Sequence, residues 1–298
     1  MTKTAWLFPG QGSQTVGMGV DLKELPAARA KFDRAEQILG WSILDVCQGE
    51  ESQLARTLYT QPCLYAIESI LVDLLAERGQ KPDVVAGHSL GEYVALYAAG
   101  VFDFESGLNL VKRRAELMDG AEGGKMVAAI GFDRKKLQEA IDKTDGVVLA
   151  NDNSDAQVVI SGTPEAVDGV LSQVKTKRAV ALNVSGAFHS PLMAEAAREF
   201  EGVLASVAFN DASIPVLSNA EPTPSQDGAQ LKQRLGQQMT GSVRWREITL
   251  QLPELGVEKA VEVGPGQVLA GLLKRSQKAL ARSNVASVED LETIYPKS

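Results

Sequence analysis

The sequence predicts an α/β protein with a parallel sheet, interrupted by a small inserted unit of order βαββαβ, the ferredoxin-like arrangement. Three observations predict it. Short apolar runs at Thr4–Phe8, Val84–Ala86 and Val257–Val263 each lead into a glycine-bearing turn. After the second and third of these a helical pattern follows. Between Lys125 and Val184 the pattern changes to strand, helix, two strands, helix and strand.

The elements follow in order. Thr4–Phe8 is a strand ending at Pro9-Gly10-Gln11-Gly12. Pro62 to Arg78 reads as a helix, with Pro62 in its first turn, Leu64, Ile67, Leu71, Leu74 and Leu75 on one face, and Gly79 as its stop. Val84–Ala86 is a buried strand, followed by a helix from about Leu90 to Ala99 and another from Glu105 to Met118. The inserted unit comprises Lys125–Phe132, Arg134–Lys143, Val147–Ala150, Gln157–Ser161, Pro164–Lys175 and Ala179–Val184, with a polar turn between its two middle strands. Ser190-Pro191 caps a helix running to about Leu204. Glu221–Gly228 is a loop, Gln267–Arg275 a helix, and about the last fifteen residues look weakly anchored. The division is therefore a large α/β part, residues 1–124 and 190–298, and a small part, residues 125–189.

Composition bounds the function. The 298 residues are 44% apolar and 23% charged, enough for a sizeable core. A net charge of −8 and 5% aromatics argue against nucleic acid and against an anionic membrane. The two cysteines, Cys47 and Cys63, stand apart without metal or redox spacing and suit a reducing compartment. The first residues break their apolar run too early for a signal peptide, and no stretch approaches the roughly 18 apolar residues of a membrane helix. The expectation is a cytoplasmic protein with no metal and no bound redox cofactor.

Gly87-His88-Ser89-Leu90-Gly91 is a G-x-S-x-G pattern between a strand and a helix. A serine on such a sharp turn is exposed at the strand's end, and the next N–H, that of Leu90, lies at a helix start where it can face an oxyanion. Taken alone, the pattern also fits a packing turn with a buried serine. The chain has two histidines, His88 and His189. The elbow turns His88 away from its neighbour, so His189 is the candidate base, at a strand's end and before a helix start that disfavours imidazolium. Arg113 lies opposite the apolar stripe of its helix, whereas Arg114 lies about 80° from the stripe's centre. Arg114 can therefore reach a cleft and hold a carboxylate, or form a structural ion pair. The turn Pro9–Gln14 lacks the GxGxxG and GK[ST] nucleotide patterns; its N–H groups suit an oxyanion or a phosphate, or serve only a tight turn.

Four segments in this order resemble the malonyl-CoA:acyl carrier protein transacylase family, which includes the acyltransferase domains of polyketide synthases. They are Phe8-Pro9-Gly10-Gln11-Gly12-Ser13-Gln14, Gly87-His88-Ser89-Leu90-Gly91-Glu92-Tyr93, Ala187-Phe188-His189-Ser190-Pro191-Leu192-Met193 and Glu262-Val263-Gly264-Pro265-Gly266. The resemblance implies a hydrolase-like α/β core with an inserted ferredoxin-like subdomain. It implies Ser89 as nucleophile, His189 as base, and Gln11 and Leu90 as oxyanion-hole donors. Arg114 would pair with the malonyl carboxylate, and Gln238 would orient His189 through its backbone carbonyl. Phe188 is similar to the malonyl-selective subset, where an aromatic ring crowds an α-methyl group. Asn151 and Asn153 resemble a polar segment facing the cleft and are taken as peripheral. The implied activity is malonyl transfer from a coenzyme A thioester to acyl carrier protein by a monomer, supplying fatty-acid synthesis. Alternatives are a polyketide or malonate-decarboxylase system, or a serine thioesterase or hydrolase.

Overall fold

The computed structural model describes residues 2–296. Its strands are β1 (Lys3–Phe8), β2 (Val84–Gly87), β3 (Lys125–Phe132), β4 (Val147–Ser154), β5 (Gln157–Gly162), β6 (Thr176–Ala181), β7 (Val216–Leu217), β8 (Val257–Val263) and β9 (Ala281–Val285). They form two sheets. The first is parallel throughout, in the order β7-β2-β1-β8-β9. Both of its faces are covered, and the alternation of β1 shows how. Trp6 and Phe8 enter the main apolar cluster with Ile67 and Leu71, while Ala5 and Leu7 enter a second cluster with Trp245 and Leu272.

From β1 the chain steps outward to β2 and then β7 on one side, and β8 and β9 lie on the other. Such a reversal opens a crevice at the carboxyl ends of the strands. The segments after β1, β2 and β7 therefore converge there.

The second sheet is antiparallel, in the order β4-β5-β3-β6. Val127 and Ala129 face the subdomain's own helices, Arg134–Asp142 and Pro164–Gln173, in a private cluster with Leu137 and Val167. Met126, Ala128 and Ala150 face the other way, into the main cluster. A parallel bridge ties the layers together: Asp152 N–H donates to the Val243 carbonyl at 2.9 Å, and Val243 N–H donates to Ala150 at 2.8 Å.

Several boundaries differ from the sequence expectation. The helix expected from Pro62 runs over Thr57–Glu77 and carries Pro62 inside. Its first turns are polar because Thr57 and Gln61 are buried partners of the site. The strand expected at Ala179–Val184 is β6, three residues earlier, because its pairing with β3 begins at Thr176 opposite Phe132. The polar turn expected after Ala150 is a continuation of β4 through Asn151, Asp152 and Asn153. The C-terminal stretch is anchored as far as Ile294, its last two residues lying outside the described ones: β9 pairs with β8, and Leu291 in the helix Val288–Ile294 is fully buried. No described helix is long and apolar enough to cross a membrane.

Candidate active site

The elbow after β2 is sterically specified. Ser89 has φ 51°, a left-handed conformation rare outside glycine. A Cβ on Gly87 would overlap the Gly91 carbonyl, and a Cβ on Gly91 would overlap the Phe8 carbonyl oxygen. Helix and strand approach too closely for any side chain there. Gly91→Ala is therefore expected to destabilise the fold by about 3 kcal/mol, read as a lower urea midpoint.

Ser89 Oγ lies 2.7 Å from His189 Nε2. The other ring nitrogen, Nδ1, lies 2.9 Å from the Gln238 carbonyl oxygen. A carbonyl only accepts, so Nδ1 carries the proton and Nε2 is the basic nitrogen facing Ser89. Gln238 follows the helix Gly228–Gln237, where carbonyls lack helical partners, and this frees its oxygen for the histidine. His88 is turned away: it lies 2.8 Å from Asn153 Oδ1 and packs edge-on against Trp245.

Burial, reinforced by the Arg114 charge, pushes the His189 imidazole down to about 3. The expected cause was a helix N-terminus; a 3-10 turn, Pro191–Met193, and then the helix Ala194–Ser206 do follow His189, but burial and the Arg114 charge are the leading causes. The folded value lies below the unfolded one of about 6.5. The resulting stability is thus complete above about pH 6.5 and lost as pH falls toward about 3. Two outcomes are expected. The pH profile of enzyme acylation shows no ionisation near 6.5, and Arg114→Ala moves its acid limb upward, because a repelling cation has gone.

Arg114 is 1% exposed, the most buried cation of the site. The helix Phe104–Asp119 turns it inward, whereas Arg113 pairs outside with Glu116 and Glu199. The Arg114 Nη1 donates to Gln61 Oε1 at 2.5 Å, and Nη2 donates to Ser89 Oγ at 2.9 Å and Gln238 Oε1 at 3.0 Å. Its Nε has no hydrogen bond. No carboxylate pairs with it within 4.0 Å among the described residues. A buried guanidinium without a directly paired anion, beside a nucleophile, suits an anionic substrate.

Ser89, His189 and Arg114 line a cavity of about 70 Å³ with Gln11, Leu90, Met126, Asn151, Leu182, Phe188 and other residues. The backbone N–H groups of Gln11 and Leu90 are not donated to any protein group among the described residues. Leu90 caps the helix Gly91–Ala98, so its N–H sits where partial positive charge accumulates. The Gln11 side chain is tied to Thr57 Oγ at 3.1 Å.

Asn153 and Asn151 are closer to the centre than expected, the first bonded to His88 and the second lining the cavity. Three residues were missed. Asn219, just past β7, accepts the Ser89 N–H at 2.7 Å and donates to the Gly87 carbonyl at 2.6 Å. Glu92 is buried beside Gln238, and Gln61 holds Arg114. An asparagine at the carboxyl end of a parallel strand is the available signal for Asn219, but β7 has only two residues and gives no alternation to read.

The family described as acyl transferase domain matches residues 5–294. A malonyl CoA-acyl carrier protein transacylase of Synechocystis sp. is 57% identical over 292 residues, 98% of this chain and 100% of that protein. A crystal structure of a Synechocystis malonyl-CoA:ACP transacylase superimposes with a TM-score of 0.96 at 57% identity, covering 98% of this chain and 99% of that one. A malonyl-transacylase solved in complex with its type II PKS acyl-carrier protein gives a TM-score of 0.93 at 36% identity, covering 100% of both chains.

Proposed function

Because the chain belongs to the acyl transferase domain family, we propose that it moves a malonyl group from malonyl-CoA to the phosphopantetheine thiol of an acyl carrier protein, through an ester on Ser89. The observation that carries the reading is the pairing of an activated serine with a buried arginine that lacks a directly paired anion, 2.9 Å apart.

The malonyl carboxylate enters and pairs with the Arg114 guanidinium. His189 Nε2 takes the Ser89 proton as Oγ attacks the thioester carbon. The N–H groups of Gln11 and Leu90 receive the oxyanion. The tetrahedral adduct collapses, the C–S bond breaks, and His189 returns the proton to the departing CoA thiol. The carrier's thiol then gives its proton to His189 and attacks the ester carbonyl. The C–O bond to Ser89 breaks and the serine regains its proton. This is ping-pong acyl transfer. Each step balances with protein groups and the two substrates, so the reading needs no metal or redox cofactor. One chain supplies every group of the site, so a monomer suffices.

Phe188, buried against the cavity, is assigned to crowding an α-methyl group on the acyl chain. The two free buried cysteines suit the reducing cytoplasm, where we place the reaction.

The test supplies malonyl-CoA with and without a phosphopantetheinylated carrier and measures both products. Rapid malonyl-carrier formation with little free malonate supports transfer. Free malonate formed as fast without carrier as with it would make the protein a hydrolase.

A further inference from the structure

Glu92 lies in the first turn of the helix Gly91–Ala98 and is 1% exposed. Its Oε2 accepts two hydrogen bonds, from Gln238 Nε2 at 2.6 Å and from the Asn219 backbone N–H at 3.2 Å. The two donors belong to opposite halves of the reacting pair. The Asn219 side chain clamps the elbow, through the Ser89 N–H at 2.7 Å and the Gly87 carbonyl at 2.6 Å. Gln238 carries the carbonyl that accepts from His189 Nδ1 at 2.9 Å.

The Gln238 amide has two orientations related by a flip, and only its partners select one. With Nε2 toward Glu92 and the Ser89 carbonyl, its Oε1 meets Arg114 Nη2 at 3.0 Å. Flipped, the amide would set its NH₂ against a guanidinium and its oxygen against a carboxylate. Glu92 therefore holds the amide in the orientation Arg114 requires. In the usual triad a carboxylate accepts directly from the histidine. Here a backbone carbonyl does so, and a carboxylate stands one residue behind it.

We infer that Glu92 is a positioning residue: one carboxylate oxygen sets Asn219 behind the nucleophile and Gln238 behind the base, holding Ser89 and His189 in register. The inference rests on the Ser89 chemistry proposed above.

Three variants test it. Glu92→Gln keeps an acceptor oxygen at the same reach, Glu92→Asp keeps the charge but withdraws it by one methylene, and Glu92→Met keeps the shape without an acceptor. In Glu92→Met, kcat for transfer is expected to fall about 100-fold with KM for malonyl-CoA within about threefold, because register rather than binding is lost. Glu92→Asp should lose about tenfold and Glu92→Gln less than about threefold, on the same ground that oxygen position decides. A folded Glu92→Met with kcat within about twofold of wild type overturns the inference, as does a kcat for Glu92→Asp above that of Glu92→Gln. If Glu92→Met does not fold, the order of the other two decides. Unaffected variants beside a normally malonylated wild type overturn this inference alone. A wild type that takes no malonyl label overturns the Ser89 reading first.

Discussion

Transfer by a His189→Ala variant is expected to fall by about three to four orders of magnitude, the loss typical of removing a general base from a serine nucleophile. The size follows from the site's economy. His88, the other histidine, is bonded to Asn153 and packed against Trp245, so it offers no substitute base. The loss should fall on both half-reactions, because the same Nε2 takes the serine proton in one and the carrier thiol proton in the other. Stopped-flow acylation with malonyl-CoA, followed separately from transfer to the carrier, checks this. An acylation rate within tenfold of wild type would remove His189 from the mechanism.

Arg114→Ala should lower kcat/KM for malonyl-CoA by about a hundred- to a thousandfold, or 3–4 kcal/mol, the range for deleting one partner of a buried, hydrogen-bonded charge pair. Discrimination should collapse with it. Acetyl-CoA lacks the carboxylate, so its kcat/KM should stay level or rise while that of malonyl-CoA falls. Arg114→Lys should not rescue the loss. The guanidinium reaches Gln61, Ser89 and Gln238 from two nitrogens at once, and an ammonium cannot reproduce that fork. A variant that transfers malonyl normally and gains nothing with acetyl would show that the substrate carboxylate binds elsewhere.

What the sequence made legible was local. The expected ends of β3 and β8 match the observed strands, because their apolar runs are bounded by turn residues. The elbow was legible because its steric demand is written into two glycines four residues apart. Arg114 could be distinguished from Arg113 because helical periodicity rotates neighbours by about 100°. What stayed hidden is nonlocal. Glu92 lies 127 residues from Asn219 and 146 from Gln238, and no spacing rule links them. Asn219 lies just past a two-residue strand whose sheet partner, β2, is about 130 residues away in sequence. The turn before Pro62 stayed hidden because a proline reads as a helix start, while Thr57 and Gln61 are polar for the sake of Gln11 and Arg114, which they hold. Asn151 and Asn153 read as a turn because polar residues on a strand suggest a loop until the strand faces a polar site.

The proposed chemistry stands on a malonyl group held covalently on Ser89. Its most direct measurement is intact-protein mass after mixing with malonyl-CoA and no carrier, for wild type and Ser89→Ala. One malonyl addition per wild-type chain is expected, none on Ser89→Ala, and loss of the adduct when carrier is added, with equal gain on the carrier. An adduct that persists in Ser89→Ala, or malonyl-carrier formed by that variant at the wild-type rate, would contradict it.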